Sequence, residues 1–420
     1  MENDNKKKKS KVGRIIKWSL LVILLLVVIL FVTVIIIWRN ELSTLMSLDK
    51  IVDANEDNKS GPVYEIEVDG DYYLDDFVEQ GGVESDQELI DFIVDNLTKG
   101  IIPIELNAPT IGCSSFTAVT PEGDRLFGRN YDFSTTSAMI VKTNPGNGRY
   151  ASISSVDLQF LGIEDGRYLD SLMDKLLCLA VPYIPLDGIN EKGLACGIYM
   201  SYQGNEEEVY STNQNTDKPD MTSTTMLRMF LDYAANVEEA VEIAKSYDLH
   251  DSASTSFHYM VADATGKSAI LEWVPADGNS ANDIDGSKRV LNVIYNDQDS
   301  NLGEKEANDK FQYVTNFINT PNYYSSDMSK GGFDRYNAIQ AKINPDGTNN
   351  EGVLTKDQAL EVLQLVGRRD WDAANGKTDS NTITVWSALY DLTNKKVIWV
   401  SNEEFENKSS IFELDFSYLN

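Results

Sequence analysis

The chain has 420 residues, with 66 acidic against 36 basic side chains, a net charge of −30, and 42% hydrophobic residues. That apolar share is enough for a substantial core, in one large domain or two ordinary ones. The acidity excludes nucleic-acid binding by phosphate neutralisation, because the long-range field repels a phosphate backbone; its plain reading is solubility.

Residues 1–17 carry Lys6, Lys7, Lys8, Lys9, Lys11, Arg14 and Lys17. Residues 18–38, Trp18 to Trp38, follow without one charge. At about 1.5 Å per residue this run crosses a bilayer core of roughly 30 Å as a helix. By the positive-inside rule the basic tail stays cytoplasmic and everything after Arg39 faces outward, a single-pass protein of the cell membrane. A cleavable signal peptide is the rival reading, but its apolar core is usually shorter, and no small-x-small pattern follows Trp38. The part beyond the tail holds 64 acidic against 29 basic residues, a net of −35.

Residues 39–112 read as an acidic, membrane-proximal pro-segment, with a plain stalk as the alternative. It contains a strand at Val63–Val68 and a helix from Asp86 to about Leu97, for which Ser85 and Glu88 form a capping box. Next, Ser114–Val119 and Arg125–Tyr131 alternate as strands about the turn Thr120-Pro121-Glu122-Gly123-Asp124. A turn at Asp187–Gly193 leads into a strand at Gly193–Met200. The stripe Leu227, Phe230, Leu231, Ala234, Val237, Val241, Ala244 predicts one long helix over about 225–246. Strands at Phe257–Ala262 and Ser268–Val274, a helix from Thr355 capped with Gln358 to about Val366, and strands at Thr382–Tyr390 and Lys396–Ser401 complete the reading. Hairpins with helices gathered between them indicate an α+β layered domain over 113–420. Gly303 and Asp346-Gly347 lie in acidic loops without EF-hand spacing, so they read as solvated surface.

Three cysteines on the oxidising side of a membrane do not make a disulfide framework. Cys178 and Cys196 sit in apolar runs and read as buried small hydrophobes, a bridge between them being the alternative. Cys113, in Gly112-Cys113-Ser114-Ser115, reads as a masked nucleophile. A thiol attacks a carbonyl only as thiolate and needs a base to become one. The chain's two histidines are His250, in a polar turn, and His258, in a strand. The other source is the cysteine's own α-amine, freed if the Gly112–Cys113 bond is cut, with an ordinary pKa of roughly 7.7–8.0.

Cys113, Arg129 and Asp132 in a C-x15-R-x2-D pattern resemble the opening hairpin of the choloylglycine hydrolase and penicillin V acylase family, whose motif acid-ceramidase-like enzymes share. The likeness continues at Asp187–Leu194, at Phe257–Ser268 and at Val293-Ile294-Tyr295-Asn296. It implies a four-layer αββα N-terminal nucleophile hydrolase sandwich, here preceded by one transmembrane helix. It also implies hydrolysis of a linear carbon–nitrogen amide in a small N-acyl substrate, with no cofactor. The resemblance places the nucleophile at Cys113, Arg129 beside the thiol, Asp132 on the α-amine, Asn296 and Tyr199 on the oxyanion, and the family's late arginine at Arg335. Tyr199 stands where penicillin V acylases carry tyrosine and bile-salt hydrolases asparagine. The chain departs from the pattern in placing 112 residues before the cysteine. Autoproteolysis after Gly112, which offers no side chain and tolerates strain, is the expected activation, with residues 1–112 kept as an anchored fragment. The alternatives are a catalytically silent ligand-binding ectodomain and a Cys–His hydrolase using His258, which is otherwise expected to be a dispensable strand residue. A homo-oligomer is compatible with all of these readings.

Overall fold

The computed structural model of the chain describes residues 2–419 apart from 101–111, 164–165, 205–208, 306–309, 346–351 and 377–381. Asp346-Gly347 therefore lies outside the described residues.

Two sheets face each other. The larger has nine strands, in the order Asp49–Val52, Val63–Asp69, Ala138–Asn144, Ser152–Asp157, Asp187–Asn190, Ala195–Met200, Phe257–Ala262, Ser268–Pro275, Arg289–Tyr295. The smaller has six, in the order Tyr313–Val314, Gly112–Val119, Arg125–Phe133, Ile383–Asp391, Lys396–Ser401, Ile411–Leu414. Aromatic side chains of the smaller sheet reach across and hydrogen-bond the larger. Trp386 Nε1 donates to Asp187 at 2.8 Å, Trp399 Nε1 to Ser155 Oγ at 3.1 Å and Tyr131 Oη to Asp157 at 2.9 Å. These indole and phenol groups bring apolar rings into the interface while finding acceptors for their polar ends, and Tyr131 stacks on Trp386 with centroids 4.1 Å apart.

Helices cover the outer faces. Ser223–Tyr233 and Val237–Ser246 lie on the nine-stranded sheet, and Phe333–Ile343, Lys356–Leu365 and Arg368–Ala374 on the six-stranded one. The mixed α/β character expected from the hairpins is thus observed. The single helix expected over 225–246 is two: the chain is extended at Ala234, and Asn236 restarts it by accepting from the Glu239 N–H. The apolar stripe runs through because both helices bury the same side. Asp187–Asn190 is a strand rather than a turn, since its carbonyls and amides are taken by Ser152–Ser155 on one side and Ala195–Gly197 on the other. The helix Asp86–Asn96 starts as expected at Ser85, but Glu88 returns its carboxylate to the N–H of Glu84 instead of Ser85. Thr355 and Gln358 form both halves of their capping box.

An N-terminal helix runs over Glu2–Ile37, and within it Gly13–Ile37 is long and apolar enough to cross a membrane. Downstream of it the chain is built into the main body. Val63–Asp69 pairs in parallel with Ala138–Asn144, placing Asp49–Val52 at the sheet edge. Leu74, Phe77, Leu89, Phe92 and Ile93 are buried in the principal core. Tyr72 Oη donates to the buried Asp232, whose carboxylate also faces Arg149 at 3.4 Å and Arg228 at 2.8 Å.

Candidate active site

Cys113 is the second residue of its strand, paired with Tyr131, while its neighbour Gly112 pairs with Asp132. The hairpin register therefore sets the thiol and the Asp132 carboxylate on successive positions. The thiol is fully buried, and the Arg129 charge acts on it. Burial pushes its pKa up to about 11; the Arg129 charge pulls it down and the Asp132 charge adds to the rise. In the uncut chain Cys113 is accordingly a thiol at neutral pH.

Arg129 is itself held on all sides. Nε faces Asp187 Oδ2 at 3.3 Å, Nη1 donates to the Asn130 carbonyl at 3.0 Å and Nη2 to the Ile198 carbonyl at 2.8 Å. Its planar face lies over the Tyr199 ring, 4.4 Å from the centroid. Glycine at 197 makes this possible, because a Cβ there would stand 2.6 Å from the Tyr199 hydroxyl. That hydroxyl donates to Ser115 Oγ at 2.6 Å, two residues along the strand from the cysteine and on the same face.

On the N-terminal side of Cys113 lies a polar cradle. The backbone N–H of Cys113 donates to Asn316 Oδ1 at 3.1 Å, and Arg335 Nη2 donates to the same oxygen at 3.3 Å. Arg335 Nη1 pairs with Asp132, whose other oxygen accepts from Thr384 Oγ1 at 2.7 Å. Gly112 sits against this cradle: a Cβ would come within 3.2 Å of the Asp132 carboxylate. Its backbone is that of an ordinary strand residue, without the positive φ that would mark strain. The value of glycine here is room beside Asp132, not the strain expected from the sequence.

The structure thus brings together Cys113, Arg129, Asp132, Tyr199 and Arg335. It does not bring Asn296 to them. Asn296 Nδ2 donates to the Gly266 carbonyl at 3.0 Å and the Lys310 carbonyl at 2.8 Å, and Oδ1 accepts from the Ser268 N–H at 3.1 Å. Both amide hydrogens are spent on fixing the Ala264–Lys267 turn and the 310 segment, which leaves none for an oxyanion. The asparagine that touches Cys113 is Asn316, 20 residues further on. Asn316 and Asp187 are the site residues the sequence reading did not single out. Asp187 lay inside a motif already noted, and Asn316 follows a strand of only two residues, Tyr313–Val314, too short to show a period.

Neither histidine faces the thiol with a free nitrogen. His258 Nδ1 lies 3.0 Å from Glu272 Oε1 and Nε2 lies 3.0 Å from the Thr315 carbonyl. With both ring nitrogens engaged by Glu272 and Thr315, neither is turned to Cys113, and the Cys–His reading finds no base in this geometry. His250 ends the short strand Asp248–His250 between Asn213 and Asp220, buried rather than in an open turn. Cys178 and Cys196 are free and buried, as their apolar surroundings suggest, with no bridge between them.

Residues 113–278 match the family model of linear amide C–N hydrolases, choloylglycine hydrolase family. The resemblance read from the motifs holds over that stretch, whose first residue is Cys113. Over 176 residues the chain is 26% identical to a bile salt hydrolase/transferase of Clostridium perfringens, covering 38% of this chain and 47% of that protein. The chain thus spans about half the length of the curated relative it matches. Among solved structures, a variant of the conjugated bile acid hydrolase from Clostridium perfringens is 18% identical, with a TM-score of 0.46 over 73% of this chain and 94% of that one. The penicillin V acylase from Agrobacterium tumefaciens is 16% identical, with a TM-score of 0.39 over 73% and 86%. The Caenorhabditis elegans ortholog of an N-acylethanolamine-hydrolyzing acid amidase is 16% identical, with a TM-score of 0.36 over 67% of this chain and 93% of that one.

Proposed function

We propose that this protein is a membrane-anchored amidase of the N-terminal nucleophile type, hydrolysing a linear carbon–nitrogen amide through an S-acyl enzyme on Cys113. The observation that carries this reading is the cradle around the Cys113 nitrogen. A backbone N–H needs one acceptor, yet here Asn316 Oδ1 and the Asp132 carboxylate gather on the N-terminal side of the cysteine, with Arg335 and Thr384 fixing both. Such a set suits an α-ammonium, which carries three donors.

Activation is scission of the Gly112–Cys113 bond. The thiol adds to the Gly112 carbonyl, the peptide nitrogen leaves as the amine of Cys113, and water hydrolyses the resulting thioester to a Gly112 carboxylate and free thiol. In turnover the amine accepts the thiol proton as sulfur attacks the substrate amide. It then gives that proton to the departing amine, and a water whose proton it takes releases the acid. Asn316 fills the oxyanion-donor role expected of Asn296: one Nδ2 hydrogen goes to the Met200 carbonyl at 2.9 Å and the other is available. Tyr199, whose single hydroxyl hydrogen goes to Ser115 Oγ, would serve as a second donor only by releasing Ser115.

The basic tail and the Gly13–Ile37 helix would fix the N-terminus in the cytoplasm and the hydrolase outside. The strand pairing of 63–69 and the buried Tyr72–Asp232 contact would keep residues 1–112 attached after scission. The test is N-terminal sequencing and intact-mass analysis of membrane-expressed protein incubated with N-acyl amino acids, penicillin V, bile-salt conjugates and N-acyl ethanolamines. Cysteine in first position and an acyl adduct on that peptide support the reading; an uncleaved chain that turns over substrate refutes it.

A further inference from the structure

The Asn316 amide must be held to within a fraction of an ångström to serve an oxyanion, yet it sits on irregular backbone between the two-residue strand Tyr313–Val314 and Pro321. What fixes that segment comes from the opposite sheet. Glu272, wholly buried, accepts from the Asn319 N–H at 2.6 Å, Asn319 Nδ2 at 3.1 Å, the Thr320 N–H at 2.8 Å and Thr320 Oγ1 at 2.7 Å. His258, buried on the adjacent strand, lies 3.0 Å from Glu272 through Nδ1 and 3.0 Å from the Thr315 carbonyl through Nε2. The two side chains therefore grip the segment at 315 and at 319–320, on either side of Asn316. His258 also packs edge-on against the Tyr199 ring, with centroids 5.7 Å apart.

A charged carboxylate in a dry interior is costly unless it is fully bonded, and apolar residues of similar size would often be as stable. An isolated stability role therefore does not account for this pair, whereas its bonds converge on the one loop that carries Asn316. We infer that Glu272 and His258 are positioning residues for the oxyanion donor, acting through the 315–320 backbone. This rests on the amidase reading and replaces the sequence-based expectation that His258 is dispensable.

The test compares wild type, Glu272→Gln, His258→Gln and His258→Leu in the full, processed protein, by steady-state kinetics on an N-acyl amide and by hydrogen exchange. His258→Gln can still donate to the Thr315 carbonyl; His258→Leu cannot. For Glu272→Gln and His258→Leu, kcat should fall at least about 10-fold, toward the 10²–10³ that loss of an oxyanion donor costs, with KM changed less than about twofold. Amides of 315–320 should exchange faster while those of 257–262 and 268–275 keep their protection. His258→Gln should recover most of the loss. Wild-type kcat in Glu272→Gln, or equal loss of protection in all three segments, overturns the inference. If Glu272→Gln does not fold, the two His258 variants decide by the same criteria. If wild type hydrolyses no amide, the amidase reading fails, and selective loosening of 315–320 alone then decides whether the pair positions Asn316.

Discussion

Asn316 and Asn296 offer a matched pair of deletions with opposite expected consequences. Replacing Asn296 by Ala removes three hydrogen bonds and leaves the buried Ser268 N–H without its acceptor, while the Gly266 and Lys310 carbonyls lie near enough to solvent to find water. An orphaned buried donor costs about 1–3 kcal/mol, so Asn296→Ala should lower unfolding free energy by about 2 kcal/mol and leave kcat of the folded protein within about twofold. Asn316→Ala removes the acceptor shared by Cys113 and Arg335 and the donor proposed for the oxyanion. Loss of such a donor costs about 2.7–4 kcal/mol of transition-state stabilisation, hence a fall in kcat of about 10²–10³. Urea unfolding and burst kinetics on an N-acyl amide measure both quantities. A large loss of kcat in Asn296→Ala with near-normal turnover in Asn316→Ala would reverse the assignment and refute the geometry-based argument.

Cys113→Ala should run as one uncut chain on denaturing electrophoresis where wild type gives two pieces, and Gly112→Val should slow scission, because its Cβ meets the Asp132 carboxylate at 3.2 Å; normal cleavage of either variant counts against self-processing. Asp232→Ala leaves Arg228 buried without its carboxylate, a loss of about 3–5 kcal/mol, while Arg149 keeps Asp71 and Asp75, and it should let the two cut pieces separate on native gel filtration where wild-type pieces co-elute; continued co-elution shows the cluster is not the latch. Asp157 has a folded pKa raised by burial to about 6, against Thr136, Gln159 and Tyr131 donors that lower it. Its unfolded value lies lower, so its contribution is fully present below about pH 4 and is lost as pH rises through about 6, an amount of about 2–3 kcal/mol. Asp157→Asn should flatten that part of the stability–pH curve, and an unchanged slope in urea melts at pH 4 and pH 7 would exclude the group as its source.

The elements that were legible in the sequence are those whose signal is local. The hairpin around Pro121 and Gly123, the strands Phe257–Ala262 and Ser268–Pro275 and the Thr355 capping box each announce themselves within a dozen residues. Cys113, Arg129 and Asp132 share one hairpin and a fixed spacing, so they too could be read together. Asn316 could not, because its place is set by contacts 203 residues away in sequence, from Cys113, and by a strand with two paired residues. The same holds for Glu272: a glutamate in an apolar strand looks like a solvent-facing residue of a half-exposed sheet, and only the closure of the second sheet buries it. The break at Ala234 was hidden because both helices continue one apolar stripe. The pairing of 63–69 with 138–144 was invisible for another reason, since parallel partners leave no turn between them to read.

Burial of the thiol links activation to specificity for one bond. A group with a pKa of about 11 in the uncut chain is almost wholly protonated at neutral pH, and each histidine has both ring nitrogens engaged elsewhere. Any external amide would therefore meet an inert sulfur, even if it reached it. The carbonyl of Gly112 is different, because the chain itself holds it next to the thiol, and an effective concentration of that kind can offset a poorly ionised nucleophile by many orders of magnitude. On the proposed reading, the first reaction open to Cys113 is therefore on its own backbone, and its product would be the amine beside the Asn316 and Asp132 oxygens. A chemically supplied test follows: recombinant 113–420 that begins with cysteine should alkylate with iodoacetamide near pH 8 far faster than the uncut Gly112→Val chain, and equal rates would mean that burial, not the missing amine, governs the sulfur.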